Sequence, residues 1–231
     1  MKLIVEPECQ SIIENLRDFN LKKNIKNQLK VINPLLVESE TDVKVHLEKT
    51  LSNGLITESE FEFLEIKMEL GRMCLEMEQV LDDIYVTMMF YDKERNSVFH
   101  GACPSGPVDF FDFFGMVNEQ GIFDENCASC GRAIFTQEVV QTDIETSSLW
   151  SALKAHVISY GFRSCTSIPF YASSGKLAGT FAFYSNKPNH LLTQDEVEMI
   201  QEKTFMFSNE IRKISDRLYE YTKVGETGLT I

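Results

Sequence analysis

GFRSCTSIPFYASSGKLAGTFAFY, residues 161–184, decides the fold. SCTSIPF (164–170) and LAGTFAFY (177–184) are rich in β-branched and aromatic residues, and Ser173-Ser174-Gly175 between them supplies turn chemistry. The stretch therefore predicts two antiparallel strands joined by a tight turn. Because side chains alternate along a strand, Ala178, Thr180, Ala182 and Tyr184 are expected on one face and Leu177, Phe181 and Phe183 on the other. The row of small side chains leaves room beside the sheet, either for a ligand or for a helix in close approach.

Working upstream, IYVTMMFY (84–91), the charged turn 92–96 and SVFHGA (97–102) read as a second hairpin. Between the hairpins lie the aromatic run DFFDFFGMV (109–117), then CASCGRAIF (127–135), a glycine-containing turn entering a short helix, and VVQT, a short strand. Ser147 or Ser148 can cap a helix running through Trp150, Leu153 and Val157 to a left-handed stop near Gly161. Thr57-Glu58-Ser59-Glu60 is a capping box opening a helix whose apolar face, including Leu64, Met68, Ile66, Leu70 and Met73, is broad enough for two neighbours. A second box, Thr193-Gln194-Asp195-Glu196, opens one long helix. In it Val197, Ile200, Thr204, Phe207, Ile211, Ile214, Leu218 and Tyr221 recur at three-four spacing, a heptad seam expected to pair the helix with a second copy in preference to the alternative, packing on the chain's own core.

The chain has 231 residues and a formal charge of −13, which disfavours a nonspecific grip on nucleic acid or an anionic membrane face. No apolar run approaches the ~20 residues of a membrane span, and MKLIVEPEC is too short and acidic for a secretory leader, so a cytoplasmic location is expected. Residues 1–55 carry eight basic and eight acidic side chains, which concentrates the negative charge in 56–231. They read as a helical extension, with Ile12, Ile13, Leu16 and Phe19 at helical spacing and a break at Asn33-Pro34; the body is expected over 56–225. Lys22, Lys23, Lys26 and Lys30 form either a solvated helix face or a basic docking patch.

This order of elements, with the strings HGACPSGP (100–107), SCGRAIF (129–135), VVQTDIETSSLW (139–150) and residues 161–184, resembles the GAF domain family over roughly residues 60–215. The resemblance implies an α/β fold of the α+β kind: a central antiparallel sheet, flanking helices and a small-molecule cavity under loops. It further implies a signalling module that binds a small effector, with Asp143 holding a loop to the body and Trp150 covering the pocket. No kinase, cyclase or DNA-binding output motif occurs in the sequence. The relay is therefore expected to run through dimeric helices to a separate protein partner. No cofactor is indicated.

The candidate ligand-binding residues are His100, Cys130, Trp150, Arg163, Cys165 and Thr180. Cys103, Cys127, Cys130 and Cys165 form an alternative zinc, iron–sulfur or redox set, but four-thiolate sites usually show two close pairs and only Cys127/Cys130 is one. The pattern fits buried apolar thiols better. His46, His100, His156 and His190 are scattered. Free methionine sulfoxide reductases also resemble GAF domains, but their catalytic and first cysteines fall near Ile158 and Gln120 here. Without thiols there, an enzyme is not expected.

Overall fold

A computed structural model describes residues 7–224. The side chains of Ile12, Ile13, Leu16, Phe19, Lys22, Leu218 and Tyr221, which carry part of the helical-spacing, basic-patch and heptad expectations, lie outside the described part. Three helices come first, α1 (Pro7–Glu38), α2 (Glu40–Ser52) and α3 (Glu58–Glu78), followed by the hairpin β1 (Tyr85–Asp92) and β2 (Ser97–Ala102). Helices α4 (Phe113–Glu119) and α5 (Ala128–Thr136), strand β3 (Val140–Asp143) and helix α6 (Lys154–Ser159) lead to the second hairpin, β4 (Ser164–Tyr171) and β5 (Leu177–Ser185). Helices α7 (Gln194–Met206) and α8 (Ser208–Val224) close the chain.

The five strands form one sheet in the order β2-β1-β5-β4-β3, every neighbouring pair antiparallel. Both capping boxes are closed as expected. Glu60 N donates to Thr57 Oγ1 at 3.2 Å while Thr57 N donates to the Glu60 carboxylate at 2.7 Å, and Thr193 and Glu196 repeat the exchange. Helix α3 uses its broad face twice. Ile66, Leu70, Met73 and Met77 join Phe181, Phe183 and Ile168 of the sheet in one core, while Leu64 and Met68 join Ile25, Ile32, Val43 and Leu47 of α1 and α2 in another. The opposite face of the sheet carries a third core under α4, α5 and α6.

Four expectations are corrected. Helix α1 does not break at Asn33-Pro34: it runs through Pro34, because buried Ile32 and Leu36 on either side hold it against α3, outweighing the hydrogen bond that proline lacks. The helix expected through Trp150 and Val157 is split into a 3-10 turn at Ser148–Trp150, capped by Ser147, and the six-residue α6, which stops at Gly161 with φ +90°. Leu177 packs against the α4–α6 side and Ala178 against the α3 side, the reverse of simple alternation, because a bulge between Phe170 and Tyr171 shifts the register there. Finally, the long C-terminal helix ends at Phe207 and restarts. Val197, Ile200, Phe207, Ile211 and Ile214 lie in the chain's own core against the sheet, so this part of the seam is not available to a second copy.

Strand β2 is an edge, and side chains cover its outer backbone. The Asn118 amide donates to Val98 O at 2.8 Å and accepts from Val98 N at 2.9 Å, pairing as a strand residue would. Asn33 Nδ2 donates to Cys103 O at 3.4 Å, and Lys67 Nζ donates to the carbonyls of His100 and, at 2.9 Å, Gly101. Lys67 is 5% exposed and sits over the Phe63 ring, 5.2 Å from its centroid. Burial pushes its ammonium down from 10.5 to about 7. The unfolded chain thus binds the extra proton between the two values, and stability rises with pH across that window while the burial cost is present in full below it. Between about pH 7 and 8, below the range where the raised buried thiols begin to cost stability, the urea midpoint is expected to climb more steeply with pH in the native protein than in Lys67→Met; equal slopes would contradict the assignment.

Candidate functional site

The third core encloses a small chamber. Phe113, Phe114 and Val117 of α4 form its roof, and Thr87 and Met89 of β1 with Tyr184 of β5 form its floor. Cys127, Ala128 and Cys130 close one side at the start of α5, and Trp150 and Leu153 the other. Ala128 enters α5 at φ +60°, a left-handed conformation that costs a non-glycine residue about 1 kcal/mol or more. The open hollow expected here is nearly filled: its volume is about 20 Å³, room for about one water. The aromatic run 109–117 supplies the bulk that fills it.

Behind the chamber, fully buried polar groups form a chain. Ser129 Oγ donates to Cys165 Sγ at 3.3 Å, Ser167 Oγ donates to Ser129 Oγ at 2.8 Å, and the Cys130 thiol, 3.2 Å from Ser167 Oγ, supplies the proton at its head. Thr180 Oγ1 is buried beside Cys130 without a well-aligned hydrogen bond. Burial pushes the thiol of Cys127 up to about 12 and raises those of Cys103, Cys130 and Cys165, so none is a ready thiolate. The four sulfurs do gather on one side of the sheet. Among the described residues, however, no three His, Cys, Asp or Glu side chains are grouped so as to hold a metal ion, which removes the geometric basis for the zinc or iron–sulfur alternative.

Trp150 is 1% exposed; its Nε1 donates to Thr142 Oγ1 at 2.9 Å, and Thr142 donates onward to Cys165 O at 3.3 Å. Asp143 accepts from Thr146 N and Oγ1 at 2.9 Å and from Asn189 N at 3.3 Å, tying its loop to the body. Arg163 points elsewhere: it pairs with Glu145 at 3.1 Å and donates to the carbonyls of Ile158 and Phe162. His100 does not line the chamber either, and burial, then the Lys67 charge, keep its imidazole well below its usual pKa. Of the six candidates, the structure therefore brings together Cys130, Trp150, Cys165 and Thr180.

The sequence reading missed the roof's anchors. Lys26 Nζ of α1 lies 2.6 Å from both Asp109 Oδ1 and Asp112 Oδ2, just before α4, and Val108 packs into the α1–α2–α3 core. On the other side His156 Nε2 lies 2.8 Å from Phe110 O, so that nitrogen carries the proton. Asp112 makes no side-chain bond to the α4 N-terminus, its carboxylate being turned to Lys26. The run of lysines facing an Asp-Phe-Phe-Asp sequence was the available signal. Since the clasp is solvent-exposed, a pair of this kind contributes up to about 1 kcal/mol. Lys26→Ala is expected to speed amide exchange over residues 107–119 by up to about 5-fold, and unchanged exchange would show that the clasp does not hold the roof. The Lys26 hydrogen bond holds Asp109 below the usual carboxylate range of about 3.9, so the clasp persists at neutral pH and is lost as pH falls through that depressed value.

No described helix is long and apolar enough to cross a membrane. The chain is similar to the methyl sulfide methyltransferase-associated sensor of Methanosarcina acetivorans, 24% identical over 133 residues, which is 56% of this chain and 12% of that protein. It thus spans about one eighth of that relative's length. Among solved structures, the GAF domain/HD domain protein of Geobacter sulfurreducens has the same fold, with a TM-score of 0.51, 10% identity, and 65% of this chain and 94% of that one covered. The type II free methionine-R-sulfoxide reductase of Thermoplasma acidophilum gives 0.48 at 11% identity, covering 64% and 94%. The pattern of the GAF domain family matches residues 69–203, more than half of the sequence and all five strands, and the chain belongs to that family.

Proposed function

We propose that the protein is a non-enzymatic sensory module in which a small molecule, entering between the α4 roof and the sheet, is reported through the helices to a separate protein partner. The observation that carries this reading is the roofed chamber, backed by a buried hydroxyl, Thr180, that lacks a well-aligned bond. Kinship to a sensor over the matched region supports it. Lys26 makes a physical route for the signal: a roof that lifts must stretch or release the bond to α1, which changes the relative stability of two helix arrangements. Homodimerisation belongs to the same proposal. With the seam up to Ile214 committed to the core, the pairing surface would lie on the outer helix faces or beyond.

Native mass spectrometry of the full chain, with a thermal-shift screen against small metabolites, tests the reading. A dimer whose melting temperature rises with a ligand, and whose 107–119 and α1 amides gain protection together, is the expected result. A monomer with no retained molecule and no responsive metabolite would overturn it.

A further inference from the structure

The chamber's chemistry limits what can enter it. None of the residues lining it is Asp, Glu, Lys, Arg or His; His156, edge-on to Phe113 with ring centroids 5.1 Å apart, and Asp124, beside Cys127, lie outside the lining. Arg163 is committed to Glu145 and two carbonyls, and Lys26 to the outside of the roof. The lining is aromatic and aliphatic, with Phe113, Phe114, Phe123, Trp150 and Tyr184 presenting ring surface. An ion placed there would lose its water and meet no opposite charge, a cost that apolar contact does not offset. One polar atom, by contrast, has a partner at the side wall: the Cys130 thiol lines the chamber, with Thr180 Oγ1 beside it and the Ser167–Ser129 hydroxyls directly behind.

Resting on the sensory reading above, we infer that this site takes an electrically neutral, mostly apolar guest carrying one hydrogen-bonding atom, and rejects ions of either sign. Size is the softer filter. The closed chamber holds about one water, so any larger guest requires the roof to swing out, and the roof is a seven-residue helix held from outside by Lys26 and His156. The neutral state of the surrounding thiols and of Tyr184, whose ionisation burial opposes, adds no charge to the wall. Charge thus selects the ligand more strictly than volume does.

Three nearly isosteric probes separate the possibilities: benzyl alcohol, benzoate and benzylammonium, titrated against the full chain. The readouts are the emission of Trp150, the single tryptophan, and the melting temperature. Val117→Phe, which thickens the roof, reports whether a response comes from the chamber, with circular dichroism confirming that the variant folds. Thr180→Val removes the hydroxyl at nearly constant shape. The expected result is that benzyl alcohol binds at least about tenfold tighter than either ion. That response should disappear in Val117→Phe, and in Thr180→Val it should fall to the level of toluene. Benzoate or benzylammonium binding as well as the alcohol, with the response lost in Val117→Phe, would sink the neutrality inference and leave the pocket reading intact. No response to any probe, in emission or melting temperature, would overturn both.

Discussion

Gly179→Ala is expected to cost more than about 3 kcal/mol, a large share of the ~5–15 kcal/mol that holds a domain together. Gly179 sits in the middle strand, paired with Phe90 of β1 and Phe170 of β4. A methyl group there would fall inside the Met89 carbonyl oxygen and 2.8 Å from the Phe170 ring. The obstacle is backbone of the neighbouring strand, so relief means breaking the β1–β5 ladder on which both faces rest. Gly175, in the turn at φ +75° with open space around it, is the matched control: asparagine tolerates that conformation, and Gly175→Asn should stay within about 0.5 kcal/mol. Urea unfolding of the two variants checks the contrast, and equal midpoints would refute the packing argument.

Trp150→Ala should lose about 3–5 kcal/mol, the usual range for emptying a fully buried tryptophan site. The ring packs edge-on to Tyr184 at 6.2 Å, and its N–H is bonded to Thr142. Thr142→Val separates the two contributions: the ring stays, its N–H loses its partner, and the expected cost drops to about 1–3 kcal/mol. If the two variants unfold at the same urea concentration, the ring's packing contributes little and its role is the hydrogen bond alone. The larger chamber in Trp150→Ala should also admit neutral probes without movement of the roof, which calorimetry can follow.

Both hairpins, the two capping boxes and the α5 entry were legible because their signals are local: period-two runs, turn residues, and a threonine followed three residues later by glutamate. The C-terminal seam was legible as a pattern but not in its partner. Three-four spacing serves a second helix and a sheet equally well, and only the restart at Ser208, whose carbonyl accepts from Ser173 N at 3.2 Å, shows the helix bending onto the sheet. Cys130, Trp150, Cys165 and Thr180 could be assembled from the strings carrying the family likeness. Arg163 and His100 could not be placed, because Glu145 and Lys67 claim their surroundings through contacts that no spacing rule encodes. The clasp joins residues 83 and 86 positions apart, and the filled chamber depends on how far the aromatic run folds back over β1; both are settled by tertiary packing alone.

The covered flank of β2 has a consequence for assembly. With Asn118 occupying the backbone of Val98, and Lys67 and Asn33 occupying the carbonyls beyond it, a foreign strand finds no open ladder to extend on that side. The sheet is thereby protected from growing into edge-to-edge polymers. What that flank leaves exposed is helical and loop surface, so any protein docking there would be read by side-chain shape and charge rather than by main-chain pairing.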